Sequence, residues 1–254
     1  MYHYLLFDLD GTLTNPKEGI TRCVQYALRH FGIEEPDLDK LEPFIGPPLI
    51  DSFMEYYGLT REQALEGVEK YRERFKDKGI FENEVLEGIP GMLETLREQG
   101  ACLAVASSKP EEYVTRILEK FDLARYFHQV VGASMDESRS AKADVIREAL
   151  ARLGLKEQEK SRVLMIGDRK HDAQGARECG IDCLGAYIGF AAPGELEQAK
   201  ATYIVHSVEE MSAFLQAHLD HMVERPVALG IEQGMKIGMR FIEQFLRRKA
   251  VIAQ

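Results

Sequence analysis

The sequence predicts an α/β protein: a parallel sheet core with an all-helical module inserted after the first strand. Three observations predict it. The chain opens with an apolar run at 4–7 (YLLF) that ends abruptly at Asp8. From about residue 85 to 216, short apolar β-type runs alternate with helical patterns. Between these two regions, residues 15–84 show helical periodicity without strand signals. A strand buried on both faces reads as a continuous apolar run, and strand–helix alternation marks a sheet covered on both sides.

In chain order, strand 4–7 comes first. A helix follows within 15–32, where Asn15 is placed to cap, Pro16 to occupy the first turn and Gly32 to end it. Ile20, Val24, Ala27, Leu28 and Phe31 repeat along it at helical spacing. Thr60 and Gln63 form a capping box for a second helix, with Ala64, Leu65, Val68, Tyr71 and Phe75 on its apolar side and Gly79 beyond it. Further strands are expected at 101–106 (ACLAVA), 162–166 (RVLMI), 181–186 (IDCLGA) and 203–205 (YIV). Helices are expected at 91–99, 111–121, 141–153 and 172–179. The core is then 1–14 with 85–216, the inserted helical module is 15–84, and a helical extension occupies 217–254. An insertion at this point overhangs the carboxyl ends of the strands, where open α/β sheets bind ligands.

In the extension, Ile231, Met235, Met239, Ile242 and Leu246 mark one helical face, and Gly230, Gly234 and Gly238 recur every four residues. Lys236, Arg240, Arg247, Arg248 and Lys249 outnumber Glu232 and Glu243 there. Two readings stay open: the helix packs on its own core, or it docks on the acidic surface of a second subunit as a homodimer contact.

The net charge of −10 disfavours a nucleic-acid backbone as the main partner, since phosphate binding needs a concentrated basic face. No apolar run approaches the roughly 20 residues of a membrane span, and the first residues lack signal-peptide order. A cytoplasmic protein with no membrane partner is expected. Cys23, Cys102, Cys179 and Cys183 form no CxxC pair, so they read as small buried apolar residues rather than a zinc site.

The chemistry gathers at strand ends. Asp8 and Asp10 stand two residues apart, roughly 6–7 Å in extended geometry, and two such carboxylates need a cation or a shared proton. Gly11 permits a sharp turn, although an Asp-Gly turn after a strand would read the same way alone. Ser107 and Ser108, ahead of Lys109 and Pro110, offer a hydroxyl and backbone N–H groups at a helix start, a cradle for an anion or simply a capping turn. Asp168 follows Gly167, and Asp172 stands four residues on, able to face the same ligand or to act as helix-cap acids. Lys142 opens a helix whose first turn disfavours a cation, which an anionic partner would explain; as a lone residue it reads as a solvated lysine.

In order, DxDGT at Asp8 to Thr12, an apolar strand ending in Ser107, the isolated Lys142 and GDxxxD at Gly167 to Asp172 closely resemble the four signature segments of the haloacid dehalogenase-like hydrolase superfamily. Within it the chain looks most like the phosphoglycolate phosphatase and 5′-nucleotidase-like branch. The resemblance implies a Rossmann-like core with a small α-helical cap. It implies Asp8 as nucleophile through an aspartyl-phosphate, and Asp10 as acid and then base. It further implies Mg2+ on Asp8, the backbone carbonyl of Asp10 and Asp168, phosphoryl oxygens held by Ser107, Ser108 and Lys142, and Asp172 orienting Lys142 or a metal-bound water. Gly11, Thr12 and Gly167 support that site. The expected partner is a small phosphorylated metabolite.

An acid at position 10 favours phosphoryl chemistry over dehalogenation. A phosphomutase of the β-phosphoglucomutase type, a pyrophosphatase and a non-catalytic phosphate-ester sensor remain alternatives. Loop 44–48 (FIGPP), Arg22, Arg72 and Lys76 are candidates to face the leaving group, although prolines often only break helices and basic residues among glutamates often form a solvated face.

Overall fold

The computed structural model describes residues 1–135 and 138–220; the helix expected after Pro226 lies outside the described residues. The strands are β1 (Tyr4–Phe7), β2 (Thr14–Asn15), β3 (Glu84–Val85), β4 (Cys102–Pro110), β5 (Gln129–Ala133), β6 (Val163–Gly167), β7 (Asp182–Ala186) and β8 (Tyr203–Val205). The helices are α1 (Lys17–His30), α2 (Leu49–Tyr57), α3 (Arg61–Phe75), α4 (Ile89–Glu98), α5 (Glu111–Lys120), α6 (Lys142–Arg152), α7 (Lys170–Cys179), α8 (Glu195–Gln198) and α9 (Val208–His218).

Six strands form one parallel sheet in the order β5-β4-β1-β6-β7-β8. The central place of β1 explains its composition. Leu5 and Phe7 pack with Leu103, Val105 and Ile166 on one face, while Leu6 packs with Ala104, Ala106 and Met165 on the other. Alternate residues thus enter two separate cores, and a strand serving both must be apolar throughout. The same position sets β1 between β4 and β6, so the loops that follow these three strands meet at one end of the sheet.

Between β1 and α4 the chain is mainly helical. α1 begins at Lys17 rather than at Pro16, and the Asn15 side chain accepts the Lys17 N–H at 3.1 Å. In α3 the capping box is present: Thr60 Oγ1 accepts the Gln63 N–H, and Gln63 Oε1 accepts the Thr60 N–H. Leu65 departs from its expected place. It is 46 % exposed, because Ala64, Val68, Tyr71 and Phe75 already define the buried stripe and position 65 falls to one side of it. The inner position is taken by Gly67, which packs against Phe53 and Phe31.

Several elements carried no readable signal. β2 and β3 pair antiparallel over two residues each, too short for any periodicity. β5 (QVVGA) is an edge strand with a polar start and a glycine. β4 continues past the expected end at 106 to Pro110, with an irregular register after Ala106. α2, α8 and α9 were likewise unforeseen. No helix among the described residues is long and apolar enough to cross a membrane.

Candidate active site

The first site loop leaves β1 through a tight turn in which the Leu9 carbonyl accepts N–H groups of Thr12, Leu13 and Thr14. Gly11 is required twice over. Its φ of +78° suits glycine, and a Cβ there would overlap the Asp168 carboxylate. Gly167 has a matching role, since a Cβ on it would overlap Asp172. These two glycines let the β1 and β6 loops bring their acids together.

One carboxylate oxygen from each of Asp8, Asp168 and Asp172 lies within 4.8 Å of the others, and all three residues are buried. The Lys142 ammonium sits among them, 3.0 Å from Asp8 Oδ1 and 2.8 Å from Asp172 Oδ1, and donates to the Ala106 carbonyl at 3.1 Å. Asp168 accepts from Thr12 Oγ1 at 3.3 Å and from the Phe190 N–H at 2.7 Å, and Asp8 accepts from the Leu9 N–H at 2.8 Å.

Burial and like charge act together here. Burial, then the Asp172 and Asp8 carboxylates, push Asp168 well above the ordinary carboxylate range. Burial also raises Asp172 to about 6, with Lys142 opposing. For Lys142, burial alone would lower the ammonium, but Asp172 and Asp8 outweigh it and hold it above its ordinary value. Ionised together, three acids with one ammonium would carry a buried excess of negative charge, and a small divalent cation bound by oxygen ligands would answer that imbalance in place of protons.

The Asp10 side chain points elsewhere. Its Oδ2 lies 2.8 Å from Lys109 Nζ, and its buried Oδ1 has no hydrogen-bond partner. Burial raises its carboxyl while Lys109 pulls it down. The metal-capable side-chain cluster is therefore Asp8, Asp168 and Asp172, and Asp10 adjoins it without joining it.

Asp8, Asp10, Ser107, Ser108 and Lys109 line one side of a cavity of about 140 Å³. Ser107 is buried, and its Oγ accepts the Lys109 N–H at 3.3 Å. Much of the remaining lining is apolar, formed by Phe44, Pro47 and Pro48 together with Val68, Tyr71 and Phe75 from the helical segment. Of the cationic candidates for the leaving group, Arg72 lines the cavity, whereas Arg22 pairs with Glu18 at 3.0 Å and neither it nor Lys76 lines the cavity.

Lys109 is the site residue that sequence reasoning missed. Its ammonium lies 4.7 Å from the Phe75 ring centroid and its side chain is 7 % exposed, so it joins the acid loop to the helical wall. The available signal was a cation directly after two candidate anion-binding serines. Its partner Asp10 is remote in sequence and is brought near by the β1–β4 pairing.

Comparison with known proteins agrees with this geometry. Residues 5–186 match the family described as haloacid dehalogenase-like hydrolase. The chain is 44% identical over 217 residues to a 5'-nucleotidase of Pseudomonas aeruginosa, covering 85% of this chain and 97% of that protein. It is 36% identical over 203 residues to the tyrosine-protein kinase PtkA of Mycobacterium tuberculosis, covering 80% of this chain and 68% of that one. A crystal structure described as a predicted phosphatase from Clostridium acetobutylicum superposes with a TM-score of 0.82 at 46% identity, covering 85% of this chain and 99% of the other. The chain belongs to the haloacid dehalogenase-like hydrolase family and is a phosphatase of that superfamily.

Proposed function

We propose that the protein is a Mg2+-dependent phosphatase that hydrolyses a small phosphomonoester, phosphoglycolate-like or nucleoside-monophosphate-like, through an aspartyl-phosphate. The observation that carries this reading is the buried cluster of Asp8, Asp168, Asp172 and Lys142 beside a cavity whose floor also holds Asp10 and Ser107. Asp8 attacks phosphorus as the ester oxygen leaves, and Asp10 gives that oxygen its proton. Asp10 then takes a proton from the water that displaces Asp8, which restores both carboxyl groups. The raised Asp10 carboxyl favours the protonated form that the first step needs.

Ser107, Ser108 and Lys142 hold the phosphoryl oxygens, and Asp172 keeps the Lys142 ammonium in place. Asp8, the Asp10 carbonyl and Asp168 would hold Mg2+, which when bound supplies neutralising charge at the transferring group. Residues 15–84 act as a cap that excludes water during turnover. The free cysteines fit a cytoplasmic setting.

The apolar wall suits an uncharged leaving group such as a nucleoside, and the Pseudomonas aeruginosa relative is named for that chemistry. The test is a panel of phosphorylated metabolites with Mg2+, read as inorganic phosphate released. Phosphate release from a monoester, abolished in a folded Asp8→Asn variant, is expected. Isomerisation of a sugar phosphate with little phosphate released would instead make it a mutase. Cleavage of pyrophosphate alone would make it a pyrophosphatase, and transfer to protein tyrosine with no phosphate released would make it a kinase.

A further inference from the structure

One charged side chain of the β6 loop serves neither the acid cluster nor the cavity lining, yet it joins the two. Arg169 follows Asp168, and its backbone N–H donates to Asp172 Oδ2 at 3.0 Å. Its guanidinium turns away from these acids. Nε donates to Glu195 Oε1 at 2.9 Å, and Nη1 donates to the Ile45 carbonyl. The Arg169 and Glu195 side chains are only 11% and 12% exposed.

Glu195 is itself fixed. It also accepts the Lys170 N–H at 2.8 Å and the Ala192 N–H at 3.1 Å. The other end of the bridge is loop 44–48, where Ile45 is 1% exposed and Phe44, Gly46, Pro47 and Pro48 line the cavity. Gly46 adopts φ +105°, and a Cβ there would come within 3.2 Å of Arg169 Cγ, so the loop lies directly on the arginine stem.

We propose that Arg169 is a positioning residue that clamps the 44–48 wall of the substrate cavity to the catalytic β6 loop and thereby sets substrate binding. The role in turnover rests on the phosphatase reading; the clamp does not. A guanidinium suits the task because its fork holds two acceptors in fixed geometry, whereas a lysine offers one compact ammonium. A pair this largely covered is screened less by solvent than a surface ion pair.

Two readouts on the full chain test it. In Arg169→Ala, amide hydrogen exchange across residues 41–53 should accelerate about tenfold or more while the β-sheet stays protected, because a local opening has become easier. With p-nitrophenyl phosphate and Mg2+, KM should rise about tenfold while kcat falls less than about threefold, the pattern of lost binding rather than lost chemistry. Arg169→Lys should not rescue either effect, and Glu195→Gln should reproduce both in weaker form. If Arg169→Ala does not fold, Glu195→Gln carries the same exchange reading. Unchanged exchange at 41–53, rescue by lysine, or a fall in kcat at constant KM would overturn the clamp. Failure of the wild-type protein to release phosphate from any monoester would remove the phosphatase reading, and the exchange data would still decide the clamp.

Discussion

On the sheet side, Asp8 of the cavity lining gathers with Asp168 and Asp172, and Lys142 pairs with Asp8 and Asp172, while on the helical side Phe44, Val68, Tyr71 and Phe75 pack as ordinary apolar residues. Both sides are well buried, but they are stabilised in different ways. On the sheet side burial, and after it like charge, raises Asp168 and Asp172, and each acid depends on specific partners such as Lys142, Thr12 or the Phe190 N–H. The helical side depends mainly on shape and area, with Lys109 over Phe75 and Arg169 on the Ile45 carbonyl as polar ties, so its apolar positions can change to residues of similar volume at modest cost. On the proposed reading, the sheet side carries the chemistry and the helical side sets selectivity.

Four experiments would break or sharpen that contrast. Lys142→Met carries the largest expected effect, since it leaves Asp8 and Asp172 without their ammonium. Metal-free stability at neutral pH should fall by about 3–5 kcal/mol in denaturant titration, with turnover lost. A variant as stable as the parent would show that the cluster is not held by this cation.

Asp10→Asn should lower kcat by about 10²–10⁴-fold while the fold survives. Val68→Ala on the helical side should act mainly on KM. Equal losses of kcat at the two positions would erase the distinction between the sides.

Magnesium and pH make the third test. Burial raises Asp172 to about 6, and Asp168 shifts in the same direction. A carboxyl raised on folding adds stability when protonated and loses that contribution as pH rises through its folded value. Added Mg2+ competes with those protons, so it should raise Tm more at pH 7.5 than at pH 5. Equal shifts at both pH values would detach the ion from this cluster. The smallest effect belongs to Thr60→Ala, which removes the α3 cap. It should cost about 1 kcal/mol in thermal unfolding and leave kcat within twofold.

The same contrast governs what could be read from sequence. The acids, Ser107 and Lys142 were legible only jointly: each alone had a bland reading, but in order they fall into four segments that resemble one family's signature. Their convergence, with Asp172 rather than the Asp10 side chain completing the acid cluster, depends on β1 lying between β4 and β6. Lys109 escaped because an ammonium gains its meaning from what it touches, here Asp10 and Phe75 from two distant segments. In the helical region, the cap of α3 was readable from Thr60 and Gln63, but Leu65 was misplaced because a stripe of apolar residues does not say which of its edges faces inward. β2, β3 and β5 were lost to brevity or mixed composition.

The two-residue ladder has a wider consequence. Thr14 faces Val85 and Asn15 faces Glu84, and the Leu86 N–H donates to the Leu13 carbonyl at 3.1 Å, so the helical segment enters and leaves through a single doorway. Because its two ends already meet there, the span can lengthen, shrink or be exchanged with little added closure entropy and no change in the strand order behind it. The architecture thus joins an exchangeable span to a fixed sheet at one narrow seam.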